Sequence, residues 1–169
     1  MLKIASLIDF LVEKIGQILG YLCLLMIVFG FLNAILRKLS QYVGTNLTSN
    51  LYFEAQWYIF ALIFVYGFSY TLLYKEHVKI DIFFNRFSQK TQKALNFVMA
   101  LFIFVPVSFL LFYLTYPMVW KSWQIKEVSP DPGGLPRYPL KLAIWGGLFL
   151  LFLQSLSETI KTWYSWRKE

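Results

Sequence analysis

Charged residues fall in clumps along this chain and leave four long stretches with none, at residues 15–36, 55–74, 94–120 and 142–157. The first three hold 22, 20 and 27 residues, and the fourth holds 16. Roughly 20 apolar residues of helix cross a bilayer core about 30 Å thick. The first three stretches meet that length as they stand. The fourth is completed by Tyr138 and Lys141 before it and by Ile160, Lys161 and Trp163 after it, side chains that snorkel or lie at an interface. The pattern therefore predicts an all-α integral membrane protein with four spanning helices, at about 15–36, 52–74, 94–120 and 139–160.

Two flanking segments have a different rhythm. Over residues 2–14, Ile4, Leu7, Ile8, Leu11 and Val12 share a helical face opposite Lys3, Ser6, Asp9 and Glu13, which predicts an N-terminal interfacial amphipathic helix. Over residues 80–92, Ile80, Phe83, Phe84 and Phe87 recur at i, i+3, i+4 and i+7, which predicts a second, central interfacial helix. The segment before the fourth span obeys neither period. Residues 129–139 contain four prolines and two glycines, which excludes helix and central strand and predicts a stiff connector. Connections this short leave room for one polytopic domain and no second one. The first run exceeds a signal-peptide core of about 7–15 residues and no Ala-x-Ala-like site follows it, so the first span is expected to be retained.

Composition sharpens the reading. The chain of 169 residues is 58% hydrophobic and 20% aromatic, with 15% charged residues against roughly 25% in soluble domains. Its net charge of +7 comes from Lys and Arg at the ends of apolar runs rather than in a basic face, which points to membrane anchoring and away from nucleic acid. With four spans both termini share a side with the central segment. That side carries ten basic residues and the other side six, so both termini are expected in the cytoplasm.

Candidate chemistry is sparse. One Cys (Cys23) and one His (His77) cannot build an internal disulfide, a zinc site or a bis-histidine haem site, and no nucleophile, phosphate loop or carboxylate pair is present. An enzyme is not expected, nor a cofactor. No ionisable group lies at the middle of a span. Glu54 and Glu158 sit near span ends, where paired or hydrated carboxylates are the plain expectation. His77, at the mouth of the second span, is read as structural, and Asp81 as an acceptor at the start of the central helix. Asn33, Ser69, Ser108 and Gln154 suffice for hydrogen bonds between helices but not for a sodium cage. Gly16 with Gly20, and Ala143 with Gly147, have the spacing that lets helices approach closely. Pro106 is expected to kink the third helix. A self-assembling four-helix channel or small exporter is the alternative, and it would need a central carboxylate or a polar ring facing a pore.

Three strings in order, Glu54-Ala55-Gln56-Trp57-Tyr58, His77-Val78-Lys79-Ile80-Asp81-Ile82-Phe83-Phe84, and Ser129-Pro130-Asp131-Pro132-Gly133-Gly134-Leu135-Pro136 leading to Lys141 and Leu153-Gln154, carry a resemblance. They resemble the small membrane subunit of tripartite ATP-independent periplasmic (TRAP) transporters, the DctQ family. The resemblance covers essentially the whole chain. It implies a bacterial inner-membrane protein that works as a non-catalytic scaffold and stator for a large, elevator-type membrane subunit. That large partner would carry sodium and substrate, and a periplasmic substrate-binding protein would deliver small organic acids. It marks Arg37, Glu54, Trp57, His77, Asp81 and Gln154 as motif positions. Two departures stand out. Arg37-Lys38-Leu39 replaces an Arg followed by an aromatic, and Lys79 replaces a frequent Arg. The basic outer loop, with Lys126, Asp131 and Arg137, becomes the candidate docking surface for the binding protein.

Overall fold

The computed structural model describes residues 2–45, 49–75 and 87–167. Five α-helices account for most of them: α1 (Leu2–Val43), α2 (Asn50–Tyr74), α3 (Gln89–Met99), α4 (Val105–Gln124) and α5 (Arg137–Arg167). A π-helical turn, Ala100–Phe104, joins α3 to α4, so the two act as one long rod. The four rods α1, α2, α3–α4 and α5 are each long and apolar enough to cross a membrane, in agreement with the four charge-free stretches.

The N-terminal segment departs from expectation. Residues 2–14 do not form a separate helix; they run unbroken into the first span. At 1.5 Å per residue the 42 residues of α1 extend about 63 Å, roughly twice the hydrocarbon thickness. The expected faces are also rearranged. Ile4, Leu7 and Leu11 are exposed, whereas Ala5 and Val12 are buried and Asp9 turns inward to α5. The physical reason is visible in the spacing: Ala5, Asp9, Val12 and Gly16 form a stripe of small, short or polar residues at intervals of four, three and four, and polar partners on α5 meet it.

His77 and Asp81 lie outside the described residues, as do positions 80–86 of the expected central helix. The remainder of that segment is not one helix. Phe87 and Ser88 are non-helical, and Ser88 caps α3, its hydroxyl accepting from the Thr91 backbone N–H at 3.3 Å. Residues 89–92 therefore belong to the third rod.

Pro106 has the expected local effect in a particular form. It brings no N–H to the ladder, and its ring would crowd the carbonyl one turn back. Directly before it the helix widens into the π turn, where the Val105 N–H reaches Ala100 O. At the other end, α5 begins at Arg137, two residues earlier than the proline-rich pattern suggests. Pro139 is tolerated because N–H groups in a first turn have no intrahelical partner to lose.

The rods alternate in direction, and α5 is central, packing against α1, α2, α3, the π turn and α4. Small residues permit this on the α2 side. A Cβ on Gly147 would stand 2.7 Å from Val65 Cγ1, and Tyr66 OH donates to the Ala143 carbonyl at 3.0 Å. Towards α4 the contact is aromatic and polar. Trp145 stacks on Phe112, centroids 4.7 Å apart, and donates from Nε1 to Phe112 O at 3.1 Å, while the Ser108 and Ser155 hydroxyls bond at 3.0 Å. Most of the remaining large apolar side chains point outward, as they must where lipid replaces water as the solvent.

Candidate functional site: the clipped loop and the ionic cluster

The connection between α4 and α5 is held from three directions. It begins with a Schellman turn: Ile125 ends α4, the Lys126 N–H bonds Trp123 O at 3.4 Å, and the Glu127 N–H bonds Ser122 O at 3.1 Å. That geometry needs a left-handed residue, and Lys126 occupies it at φ 49°. An L side chain there is unfavourable. Cation–π attraction offsets this, because the Lys126 ammonium lies 4.1 Å from the Trp123 ring centroid and 4.7 Å from that of Tyr138. The two strands of the loop then meet in an isolated antiparallel bridge between Val128 and Pro136, with the Ser129 N–H on Leu135 O at 3.1 Å.

Glu54, one turn into α2, clips this loop to the bundle. Its carboxylate is buried at 8% exposure and accepts from the Ser129 hydroxyl and, at 2.5 Å, from the Leu135 backbone N–H. Tyr58, one turn further, donates to Leu135 O at 3.1 Å. Arg137 closes the loop from the α5 side, its backbone N–H on Glu127 O at 2.8 Å and its guanidinium on Ser129 Oγ at 3.4 Å. Glu127 pairs with Lys141 at 2.5 Å. The lysine hydrogen bond, reinforced by the charges of Lys141 and Arg137, holds the Glu127 carboxyl below the usual carboxylate range against an opposing effect of burial.

The opposite end of the bundle, where α1 begins and α5 finishes, holds a second polar cluster. Asp9 Oδ1 accepts from Gln154 Nε2 at 3.0 Å, from the Ser157 hydroxyl at 2.9 Å and from Lys161 Nζ at 3.1 Å. Lys161 also reaches Glu158 at 3.1 Å, and Glu158 reaches Lys75, just past the end of α2, at 2.9 Å. Gln154 and Ser157 are fully buried. Two anions and two cations thus tie α1, α2 and α5 together with no net charge left over, the condition under which partly buried ions are tolerated.

These arrangements sort the expected residues. Glu54 sits at the centre of the loop cluster, and Gln154 joins the ionic cluster through one hydrogen bond, to Asp9. Trp57 is 74% exposed and points away from the bundle. Arg37 lies on the surface of α1, beside a groove against α2. Of the three expected docking charges, Lys126 is held over two rings and Arg137 bonds within the loop, whereas the carboxylate of exposed Asp131 makes no hydrogen bond or ion pair with a described residue. Sequence reasoning missed Asp9, Lys75, Lys161, Ser129 and the Leu135 N–H. The stripe through Asp9 was the available signal for the first; the others depend on which helix ends meet.

No curated protein and no solved structure matches the chain. The family model described as the DctQ component of tripartite ATP-independent periplasmic transporters matches residues 26–164, which takes in Arg37, Glu54, the whole clipped loop and Gln154. With that match extending over most of its length, the chain belongs to the DctQ component family of the tripartite ATP-independent periplasmic transporters.

Proposed function

We propose that this chain is the non-catalytic small subunit of a sodium-coupled, binding-protein-dependent transporter for small organic acids, seated in the bacterial inner membrane with both termini in the cytoplasm. It serves as scaffold and stator for a large elevator-type subunit that carries the sodium and the substrate. Family membership gives the setting. The observation that carries the stator role is the way the charges are spent. The anions Asp9 and Glu158, with Lys75 and Lys161, cross-link helices at one end, and Glu54 fastens a loop at the other. Groups committed to such ties are poorly suited to bind and release a travelling ion, and well suited to stiffen a support.

The binding protein is expected to dock on the loop end, where the clipped connector presents a preformed surface. Co-expression with a large membrane subunit of the same transporter class tests the scaffold reading. A stable complex of the two in detergent is the expected result. A chain that purifies only as a homo-oligomer and conducts ions by itself would replace the proposal with a channel.

A further inference from the structure

Near the loop end, α1 and α2 border an open groove of about 540 Å³. Its α1 wall is Gly30, Asn33, Ala34, Arg37, Lys38 and Gln41, and Phe53 and Gln56 of α2 form the other side. Gln56 lies against Gly30, where a Cβ would stand 3.0 Å from its Nε2. Asn33 is level with Ala34, Arg37 and Lys38 follow one turn further out, and among the described residues neither cation makes an ion pair.

Depth gives the groove its meaning. The charge-free run of α1 ends at Arg37, and its 22 residues extend about 33 Å, close to the hydrocarbon thickness. Arg37 and Lys38 therefore stand at the boundary between acyl chains and headgroups. Below them on α1, down to Leu24, the exposed side chains are apolar, with Leu24, Ile27, Val28 and Phe31 each open. A surface that is cationic at the interface, amide-bearing just beneath and apolar below that has the polarity sequence of one molecule, a phospholipid. Two cations with no anion of their own favour a headgroup of net negative charge.

We propose that this groove is a binding site for an anionic phospholipid, with Arg37 and Lys38 on the phosphate, Gln41 one turn further out beside the headgroup, Asn33 one turn beneath beside the glycerol portion, and the acyl chains running down past Phe31. The ligand is the membrane lipid and not free phosphate, because only an amphiphile uses both halves of the surface.

The test uses the full chain in mild detergent, titrated with phosphatidylglycerol, phosphatidylcholine or inorganic phosphate, with bound lipid counted by native mass spectrometry and thermal stability read in parallel. Phosphatidylglycerol should bind and stabilise. The double variant Arg37→Gln/Lys38→Gln should weaken binding about thirtyfold, about fivefold per cation. Arg37→Lys should retain most of the affinity, and Lys121→Gln, which removes an interfacial cation elsewhere, should change nothing. Equal phosphatidylglycerol retention by wild type and the double variant overturns the proposal. So does equal affinity for phosphatidylcholine, which removes the role of charge, or saturation by inorganic phosphate, which removes the lipid. If the double variant keeps its lipid but no longer associates with the large subunit, the groove is a protein contact and the proposal fails.

Discussion

Glu54 receives its two hydrogen bonds from Ser129 and Leu135, residues 75 and 81 positions further along the chain, so a single carboxylate fixes a long-range contact. Replacing it separates charge from hydrogen bonding. A Gln at this position can still accept from the Leu135 N–H and donate to Ser129 Oγ, losing only the assistance of charge. A Leu leaves both donors without an acceptor. Glu54→Leu should lower the thermal midpoint by about 5–10 °C and Glu54→Gln by less than half as much. Equal effects would show that the carboxylate merely fills space. Glu127 supplies the pH dependence of the same loop. Its carboxyl is held below the ordinary value of 4.5, chiefly by the hydrogen bond to Lys141. A depressed folded-state value means that its contribution is fully present above the unfolded value and is lost as pH falls through the folded one. The stability difference between wild type and Glu127→Gln should be flat from neutrality to about pH 5 and shrink below about 4.5. A difference that grew on acidification would reverse the assignment.

At the scale of elements, small residues and loop charges act through the surfaces they let meet. The sequence gives Gly16 and Gly20 equal standing, but the structure does not. A Cβ on Gly16 would run into the Tyr70 ring of α2, and one on Gly147 into Val65, whereas one on Gly20 meets nothing. Gly16→Ala and Gly147→Ala should therefore destabilise by about 1–3 kcal/mol. Gly20→Ala should be neutral or stabilising by up to about 1 kcal/mol, because Ala is the better helix former. Thermal unfolding of the three variants checks the order. The clipped loop makes an equally selective statement about docking. Lys126→Glu would remove the cation–π cap and Arg137→Glu would remove the guanidinium bond to Ser129 Oγ while leaving the backbone bond to Glu127, so both should lower stability. Asp131→Lys alters only an unengaged charge. It should assemble normally and shift the binding-protein concentration needed for half-maximal uptake, mainly through association rate and with strong salt dependence. An unchanged concentration dependence would make the loop a connector and nothing more.

For the molecule as a whole, the spans were legible because lipid imposes a crude rule, apolar length between charges, and 15–36, 52–74, 94–120 and 139–160 all fall inside the observed helices. What hid was everything set by contact between elements. Amphipathicity in residues 2–14 was real, but the rule that polar faces point away from the structure failed, because Asp9 finds Gln154, Ser157 and Lys161 on α5. The proline-rich string announced a stiff loop; that a glutamate 75 residues earlier holds it could not be read from local composition. Family resemblance pointed to Glu54 and Gln154 without giving their partners, and the structure supplies those.

Polar groups at both ends of α5 brace one bundle around a central helix, and the account's central claim is that this bundle supports transport without performing it. Sodium tracer uptake into liposomes measures that directly, with the purified chain alone in one preparation and the chain with the proposed large subunit and binding protein in another. The chain alone should take up no more sodium than empty liposomes, and the complete system should show uptake that depends on the organic acid. Sodium uptake by the chain alone, above the empty-liposome level and driven by its own gradient, would contradict the account.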